Sequence, residues 1–385
     1  RHCVPCTGPH PSKIEGSTVK ISRIARIGAI GAVAALALAG CAANEGGAGG
    51  SSEEPSESTL SGTIDATGAS SQTAAQEAWV AAFQTANPDV TVNYEPTGSG
   101  TGRENFLEGG SNFIGSDRAF NDEEIAAGGF GACTTDDIVE VPLYISPVAV
   151  AFNLEGIDTL NLDAATIAGI FAGTITNWND EAIAALNDGV ELPDLAISPV
   201  HRSDPSGTQE TFAKYLSATA PDVWTYEVSD EWPIQGGEAA QGTSGVKQAL
   251  TAGNGAIGFL DASQADGLGQ VAVGVGEDFV SYSAEAAAKL VEGSPLAEGR
   301  GEGDLVFDVD PAAAADGAYP IALVSYLIGC EQYEDSNVAE LVKEYFTYIA
   351  SAEGQDAAAE NAGSAPISDG LREQVQAAID LIQVG

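Results

Sequence analysis

From residue 60 onward the sequence alternates short apolar or β-branched runs with stretches whose apolar residues recur at helical spacing. Residues 61–66 and 90–94 read as strands, 74–85 as a helix with Trp79, Ala82 and Phe83 on one face, and 103–107 as the start of another helix. A third short strand is predicted at 112–115. Two long extended apolar runs, 141–153 and 320–328, lie far apart, each a candidate crossing between two bodies. Between them are helices at 164–171, 180–186, 210–216 and 245–252, and strands at 195–200 and 255–260. Helices at 339–350, 352–361 and 370–382 close the chain, and no internal repeat is visible. This alternation predicts an α/β fold with a parallel sheet. The crossing runs predict two lobes, 60–146 plus 320–385 and 147–319, with a ligand cleft between them. In open sheets of this kind ligands sit beyond the carboxyl ends of strands, so the loops after strands are where chemistry is expected.

Ahead of residue 60 the pattern changes. Residues 42–59 are small or acidic and cannot bury enough surface to fold, so they read as a flexible tether. About 18 residues at roughly 5–6 Å × √n span on the order of 23 Å. Upstream, Lys20, Arg23 and Arg26 precede the apolar run 27–39, which is too short to span a membrane and ends Leu38-Ala39-Gly40-Cys41. A basic region, an apolar region and small residues before a cysteine resemble a bacterial lipoprotein signal. By that resemblance residues 1–40 are removed and Cys41 is acylated, which anchors the chain to a membrane without spanning it. An ordinary secretory signal with an incidental cysteine is the alternative. Residues 1–18 carry Cys3 and Cys6 beside His2 and His10 with no fold around them, and read as upstream translated sequence with Val19 as candidate start.

Charge narrows the classes. The 385 residues carry a formal net charge of -42 with only 18% charged residues, so the imbalance comes from scarce Lys and Arg. Such a body is soluble and repels nucleic acid. Any anion it binds must be selected by local hydrogen bonds, because the global field opposes capture.

The strand-end loops supply those donors. Val200-His201-Arg202-Ser203-Asp204-Pro205-Ser206-Gly207-Thr208 joins a strand to a helix. Gly207 permits close backbone approach, Ser206 and Thr208 lie at a helix start whose N–H groups favour an anion, and Arg202 adds a planar fork suited to an oxyanion. Three further loops share this character: Thr67-Gly68-Ala69-Ser70-Ser71, Thr97-Gly98-Ser99-Gly100-Thr101-Gly102-Arg103 and Gly115-Ser116-Asp117-Arg118. None has the spacing of a nucleotide-binding loop. Each has a plainer reading: an N-cap for Ser70 and Ser71, a flexible turn for 98–102, an exposed acid or partner of Arg118 for Asp117, and a salt bridge to Asp204 for Arg202. Four such loops on one α/β plan are harder to dismiss together.

This set resembles the substrate-binding lipoprotein of the phosphate-specific ABC transporter. Supporting matches are Asn177-Trp178-Asn179-Asp180, Trp232-Pro233-Ile234, residues 255–258 and Tyr319-Pro320-Ile321, and the likeness runs from about residue 60 to the C-terminus. Ser71, where some members carry a bulky apolar residue, and Pro205, often Gly in the family, are departures. The resemblance implies a two-lobed periplasmic-binding-protein-like fold and a buried phosphate. Ser70, Ser99, Ser206 and Thr208 would donate hydroxyls, Ser71, Gly207 and Thr208 backbone N–H groups, and Arg202 a bidentate fork, with Asp204 orienting Arg202 from behind. Asp117 would accept the proton that phosphate carries near neutral pH and sulfate lacks, since an unpaired buried acceptor costs at least ~1–3 kcal/mol.

The implied partners are inorganic phosphate, the permease subunits of an ABC transporter and, through Cys41, the cell membrane. A monomer is expected, with no cofactor, metal or catalytic residue. With Cys3 and Cys6 removed and Cys41 lipidated, Cys133 and Cys330 remain in an oxidising compartment and are expected to pair. The alternatives are a receptor for another tetrahedral oxyanion such as sulfate or molybdate, a secreted phosphoester hydrolase, and a structural lipoprotein without ligand. Downstream of the signal the one histidine is His201 and there is no GxSxG elbow, so hydrolase readings have little to draw on.

Overall fold

The structure is a computed structural model and describes residues 59–385. The expectations for residues 1–40, for Cys41 and for all but the last residue of the 42–59 tether lie outside the described residues. In chain order come β1 (Gly62–Gly68), α1 (Thr73–Ala86), β2 (Val90–Glu95), α2 (Ser99–Leu107), β3 (Phe113–Ser116), α3 (Asp122–Ala127) and β4 (Ile138–Phe152). Next are β5 (Thr159–Leu162), α4 (Ala164–Phe171), α5 (Glu181–Leu186), β6 (Ser198–Arg202), α6 (Gly207–Thr219), β7 (Glu238–Ala240), α7 (Gly242–Ala252) and β8 (Ala256–Asp261). The remainder holds β9 (Gly269–Val275), β10 (Asp278–Val280), α8 (Ala284–Glu292), β11 (Ala322–Cys330) and β12 (Gln332–Tyr333). The chain closes with α9 (Ser336–Ala350), α10 (Ala352–Ala362), α11 (Asp369–Ile379) and β13 (Gln383–Val384).

Every predicted strand and helix has a counterpart. The structure adds α3, α8 and the short strands β5, β7, β9, β10, β12 and β13. The buried face of α8 is Ala286, Ala287, Leu290 and Val291. Helix α2 begins at Ser99, earlier than predicted, because Gly98 at φ 102° makes the entry turn directly in front of it.

The sheet is mixed, which corrects the expectation of a parallel one. Eleven strands form it, in the order β2-β1-β3-β11-β4-β8-β6-β7, with β9 joining β4 to β5 and β10. The β1–β2, β1–β3, β6–β7 and β6–β8 pairs are parallel. The two long strands run against their neighbours: β11 is antiparallel to β3 and β4, and β4 to β8. Antiparallel neighbours need no crossover helix, so the central strands can carry the chain between halves directly.

Strand β4 makes that passage. All 15 of its residues are buried, which is why most of it reads as a long apolar run. Up to Pro147 it pairs with β11, and from Val148 it pairs with β8. The second long run does not change partners: β11 stays beside β3 and β4. Just before it, Tyr319 N bonds Ala286 O at 2.8 Å and Ile321 O accepts from Val148 N at 2.9 Å. A register shift at Ser325/Tyr326 marks a β-bulge opposite Tyr144 and Pro142.

Aromatic side chains fill the core on both sides of β4. Trp79, buried on α1, donates its indole N–H to Gly354 O at 2.7 Å at the start of α10. Phe113 meets Tyr345 and Phe346 of α9 at ring-centroid distances of 5.6 and 5.4 Å. In the other half Phe212 of α6 stacks on Phe259 of β8 at 4.3 Å. Cys133 and Cys330 form the expected disulfide, which ties the approach to β4 to the end of β11 across 197 residues of sequence. Among the described residues no helix is long and apolar enough to cross a membrane.

Asp261 sits where β4 changes partners, opposite Val148. Burial pushes its carboxyl up to about 6, with the nearby Asp117 adding to the rise. A carboxyl that holds its proton more tightly folded than unfolded stabilises the fold below its unfolded pKa near 4. That stability is lost as pH rises through about 6. Asp261→Asn, which cannot ionise, is therefore expected to gain in thermal midpoint over the parent above pH 7 but not near pH 4. The difference is up to about 3 kcal/mol, and equal midpoint shifts at both pH values would contradict it.

Candidate anion-binding site

Four strand ends converge. The chain leaves β1 through Gly68 and turns into the 3₁₀ turn Ser70–Gln72, which leads into α1. Gly68 lies against β3: a Cβ there would stand 2.0 Å from Gly115 O. Strand β3 ends at Ser116, and Asp117 follows, 6% exposed. Strand β6 ends at Arg202, and Ser206 caps α6 by accepting from Gln209 N at 3.3 Å. Gly207 brings α6 against the β3 loop, since a Cβ would stand 2.7 Å from Asp117 Cβ and 2.8 Å from Arg118 N.

Asp117 is the centre of these contacts. Ser71 Oγ donates to Oδ1 at 2.5 Å, Ser325 Oγ to the same oxygen at 2.6 Å, and Thr208 Oγ1 to Oδ2 at 2.6 Å. Ser99 Oγ accepts from Asp117 N at 3.1 Å. Because that bond fills a lone pair of Ser99, its own hydrogen is left to point at a ligand. Ser206 Oγ is in the same condition through Gln209 N. Ser70 Oγ accepts from Thr243 N at 3.0 Å and shares a hydrogen with Thr243 Oγ1 at 3.0 Å. Burial and the Asp117 carboxylate push the Tyr94 phenol well above its usual range, so it remains a donor, to Ala69 O at 2.9 Å.

Arg202, 3% exposed, is gripped by Asp204: Nε bonds Oδ1 at 2.8 Å and Nη2 bonds Oδ2. Oδ1 of Asp204 also accepts from Gly242 N at 3.0 Å, at the start of α7. A guanidinium has five N–H donors, so its other edge, Nη1 with the second hydrogen of Nη2, stays available for a bidentate oxyanion. Gly98 is required here as well, since a Cβ would fall 2.4 Å from Asp204 Oδ2 and 3.5 Å from Arg202 Nη2.

A second ring of charge surrounds this cluster. Arg103 of α2, 4% exposed, bonds Ser116 Oγ at 2.9 Å and Asp230 Oδ2 at 2.6 Å. Arg118 holds Glu124 through two bonds at 2.6 and 2.9 Å and meets Glu210 of α6 at 3.1 Å. Burial raises the Glu210 carboxyl and lowers the Arg103 guanidinium. The backbone O of Asp230 accepts from Ser206 N and Gln209 Nε2, both at 2.9 Å, so this acid is fastened to the α6 turn. Beyond the cluster opens a cleft of about 570 Å³, with Asp117, Gly207, Arg118, Glu210 and Asp230 among its walls. A smaller one of about 340 Å³ opens beside Ser70, Gly242 and Thr243.

The comparisons with known proteins fit this geometry. The profile of the PBP superfamily domain matches residues 53–353. Phosphate-binding protein PstS2 of Mycobacterium bovis is 33% identical over 329 residues, 83% of this chain and 87% of that protein. Phosphate-binding protein PstS 3 of Mycobacterium leprae is 33% identical over 327 residues, with the same coverage of each. The chain belongs to the PstS-type family of phosphate-binding proteins. The fold is shared with a periplasmic phosphate-binding protein solved with phosphate, at a TM-score of 0.66 and 23% identity over 82% of this chain and 93% of that one. A phosphate-binding protein from Stenotrophomonas maltophilia gives 0.59 at 20% identity over 82% and 94%.

The residues singled out from sequence fall into neighbouring clusters: Ser71, Ser99 and Thr208 on Asp117, Arg202 with Asp204 and Gly242, and Ser70 with Thr243 on the side of the smaller cleft. Ser70 and Ser71 make no side-chain cap bond to α1. The 98–102 stretch is the first turn of α2 and its entry. Asp117 is buried, and Arg118 pairs with Glu124 and Glu210 in its stead. Arg202 does pair with Asp204, as both readings required. Two details differ. The Thr208 hydroxyl is spent on Asp117, which leaves the Thr208 N–H as its donor for a ligand. The hydroxyl of Ser71 is engaged, by Asp117.

Sequence reasoning missed Thr243, Ser325, Gln72 and the Arg103–Asp230 pair. Gln241-Gly242-Thr243-Ser244-Gly245 is a strand-end turn of the same kind as the four others, so Thr243 had a signal. Ser325 had only its isolation as the one serine inside the apolar run of β11. His201, the residue a hydrolase would need, stacks on Trp232 at 5.2 Å with both ring nitrogens against the backbone oxygens of Arg202 and Gly236.

The close approach at Gly207 has a measurable consequence. Gly207→Ala is expected to lower stability by roughly 1–3 kcal/mol, because backbone and Cβ atoms must shift. Gly245→Ala, whose nearest neighbour would be 3.6 Å away, is expected to be neutral or slightly stabilising. Denaturant unfolding of the two variants checks this; equal losses would contradict it.

Proposed function

We propose that the protein captures inorganic phosphate outside the cell membrane and hands it to the permease of an ABC transporter. Two lobes, residues 60–146 plus 320–385 and 147–319, close over the anion. No bond is made or broken. The observation that carries this reading is the buried Asp117 carboxylate, set among hydrogen-bond donors from three separate segments, one of them the start of α6. An acid in an anion site repels a fully ionised ligand and accepts from one that retains a proton. Phosphate retains one near neutral pH and sulfate does not, so one side chain separates two oxyanions of equal shape.

The named relatives, all phosphate-binding proteins, support the same ligand. In this reading Ser70, Ser99 and Ser206 donate hydroxyls, Ser71, Gly207 and Thr208 donate N–H groups, and Arg202 forks onto two oxygens. The start of α6 adds its partial positive charge. The basic, apolar and cysteine-terminated segment ahead of the body supports export and acylation of Cys41, with residues 42–59 as tether.

Closure has its own contacts. Arg103 and Arg118 belong to the first lobe, Asp230 and Glu210 to the second, and these pairs join them across the cleft. They form only when the lobes meet, so they act on release more than on encounter.

Calorimetry with phosphate, sulfate and arsenate, on protein unfolded and refolded to remove carried-over ligand, is the direct test. Tight phosphate binding with sulfate far weaker is expected; no binding of any oxyanion would end the transport reading. Arg202→Ala is expected to weaken phosphate binding by about 3 kcal/mol or more, upward of 100-fold, with the fold retained. Asp117→Asn is expected to narrow the preference for phosphate over sulfate by roughly 5- to 100-fold. Asp230→Asn is expected to speed phosphate release several-fold in stopped-flow measurements while leaving the association rate nearly unchanged. A slowed association with unaltered release would count against the closing role.

A further inference from the structure

Asp117 does not stand alone against its ligand. We infer that Ser71 and Ser325, backed by a buried chain of Gln72, Gln76 and Tyr345, are positioning residues that set the oxyanion selectivity by holding Asp117 as a one-site acceptor. The inference rests on the phosphate reading above.

The sense of every hydrogen bond in the chain is fixed by chemistry. Gln72 Nε2 lies 3.2 Å from Tyr326 O, a backbone carbonyl that only accepts, so the amide of Gln72 has one permitted orientation. The same nitrogen donates to Ser325 Oγ at 2.7 Å. Its oxygen therefore faces Gln76 Nε2, which donates to it at 2.9 Å. That orients Gln76 in turn, and its oxygen accepts from the Tyr345 hydroxyl at 2.9 Å. Burial pushes the Tyr345 phenol well above its usual range, so the chain begins at a group that keeps its proton. With a lone pair of Ser325 filled by Gln72, the Ser325 hydrogen is directed to Asp117 Oδ1. Donation runs one way, from α9 through α1 and β11 to the acid.

At the acid, Oδ1 is occupied by Ser71 and Ser325, and Oδ2 receives Thr208. A carboxylate offers about four lone-pair sites. One remains, on Oδ2, on the side of Thr208 and the α6 turn. Asp117 can thus take a single hydrogen from a ligand and has no orientation in which it turns away or donates. Two local features accompany this arrangement. The register shift at Ser325/Tyr326, where β4 carries the extra residue Leu143, falls beside the serine that bonds the acid. Gly115 leaves space for the chain, since a Cβ there would stand 2.6 Å from Gln72 Oε1. Ser71, Gln72 and Ser325 are each fully buried, so the network is not exchanged for water.

The test is a double-mutant cycle read as selectivity. Phosphate and sulfate affinities are measured by calorimetry for the parent, Ser325→Ala, Ser71→Ala, Asp117→Asn and the two double variants, each checked for folding by thermal unfolding. Each serine variant is expected to reduce the phosphate-to-sulfate affinity ratio several-fold, by no more than Asp117→Asn does. In the Asp117→Asn background the same substitution is expected to leave the ratio unchanged, because the group it positions is gone. A ratio held by both serine variants overturns the inference, as does an equal drop with and without Asp117, which marks a general structural role. Should Ser325→Ala fail to fold, Ser71→Ala acts on the same oxygen from a different segment and decides the matter. A parent protein that binds phosphate but shows no preference over sulfate removes the selectivity role while sparing the ligand. One that binds no phosphate removes the function reading and this inference with it.

Discussion

The constraint on which the rest depends is a negative charge placed inside a protein that is already strongly acidic. A buried carboxylate without partners is costly by several kcal/mol, and it is tolerated only when hydrogen-bond donors surround it. Asp117 obtains its donors from three segments remote in sequence: the turn after β1, the middle of β11 and the first turn of α6. Satisfying that one group fixes where all three segments lie. The site is in this sense a by-product of solving a desolvation problem, with one acceptor position left over for a ligand.

The backbone is arranged to make that meeting possible. Strand β4 carries the chain from β11 to β8. Glycines stand at the points of closest approach: Gly68 against Gly115, Gly98 against Asp204 and Gly207 against Asp117. The loop after Asp117 is held from behind. Glu140 of β4 accepts from Phe120 N at 3.0 Å and pairs with Arg300 at 3.0 Å, and Arg300 also reaches Phe120 O at 2.7 Å. Burial, with Asp304 beside it, raises the Glu140 carboxyl well above its usual range, and Arg300 opposes that rise. The cradle is thus supported by a second buried ionic cluster on the far side of the loop.

Charge works at two scales. A net charge of -42 repels anions at a distance. Within the site the sign is reversed by Arg202, the α6 start and hydroxyl hydrogens, over distances short compared with the Debye length. Arg103 and Arg118 meet Asp230, Glu124 and Glu210, so two of the scarce cations are committed to acids beside the cleft.

The order of elements and the character of the strand-end turns were determined by the sequence alone. Periodicity marks α1 and α9, a long apolar run marks β4, and Gly, Ser and Thr after strands mark the turns at 68–71, 98–102 and 206–208, because these are local properties of neighbouring residues. The likeness to phosphate-binding lipoproteins was legible for the same reason, since it resides in those turns. What the tertiary structure decided is which atoms face which. Nothing in the strand sequence Ala322–Cys330 says that Ser325 bonds Asp117, because that contact spans 208 residues of sequence. The antiparallel course of β4 and β11, the commitment of the Thr208 hydroxyl to the acid, and the edge of Arg202 left for a ligand belong to the same class. They follow from pairing partners and hydrogen-bond saturation, quantities that exist only once distant segments are packed together.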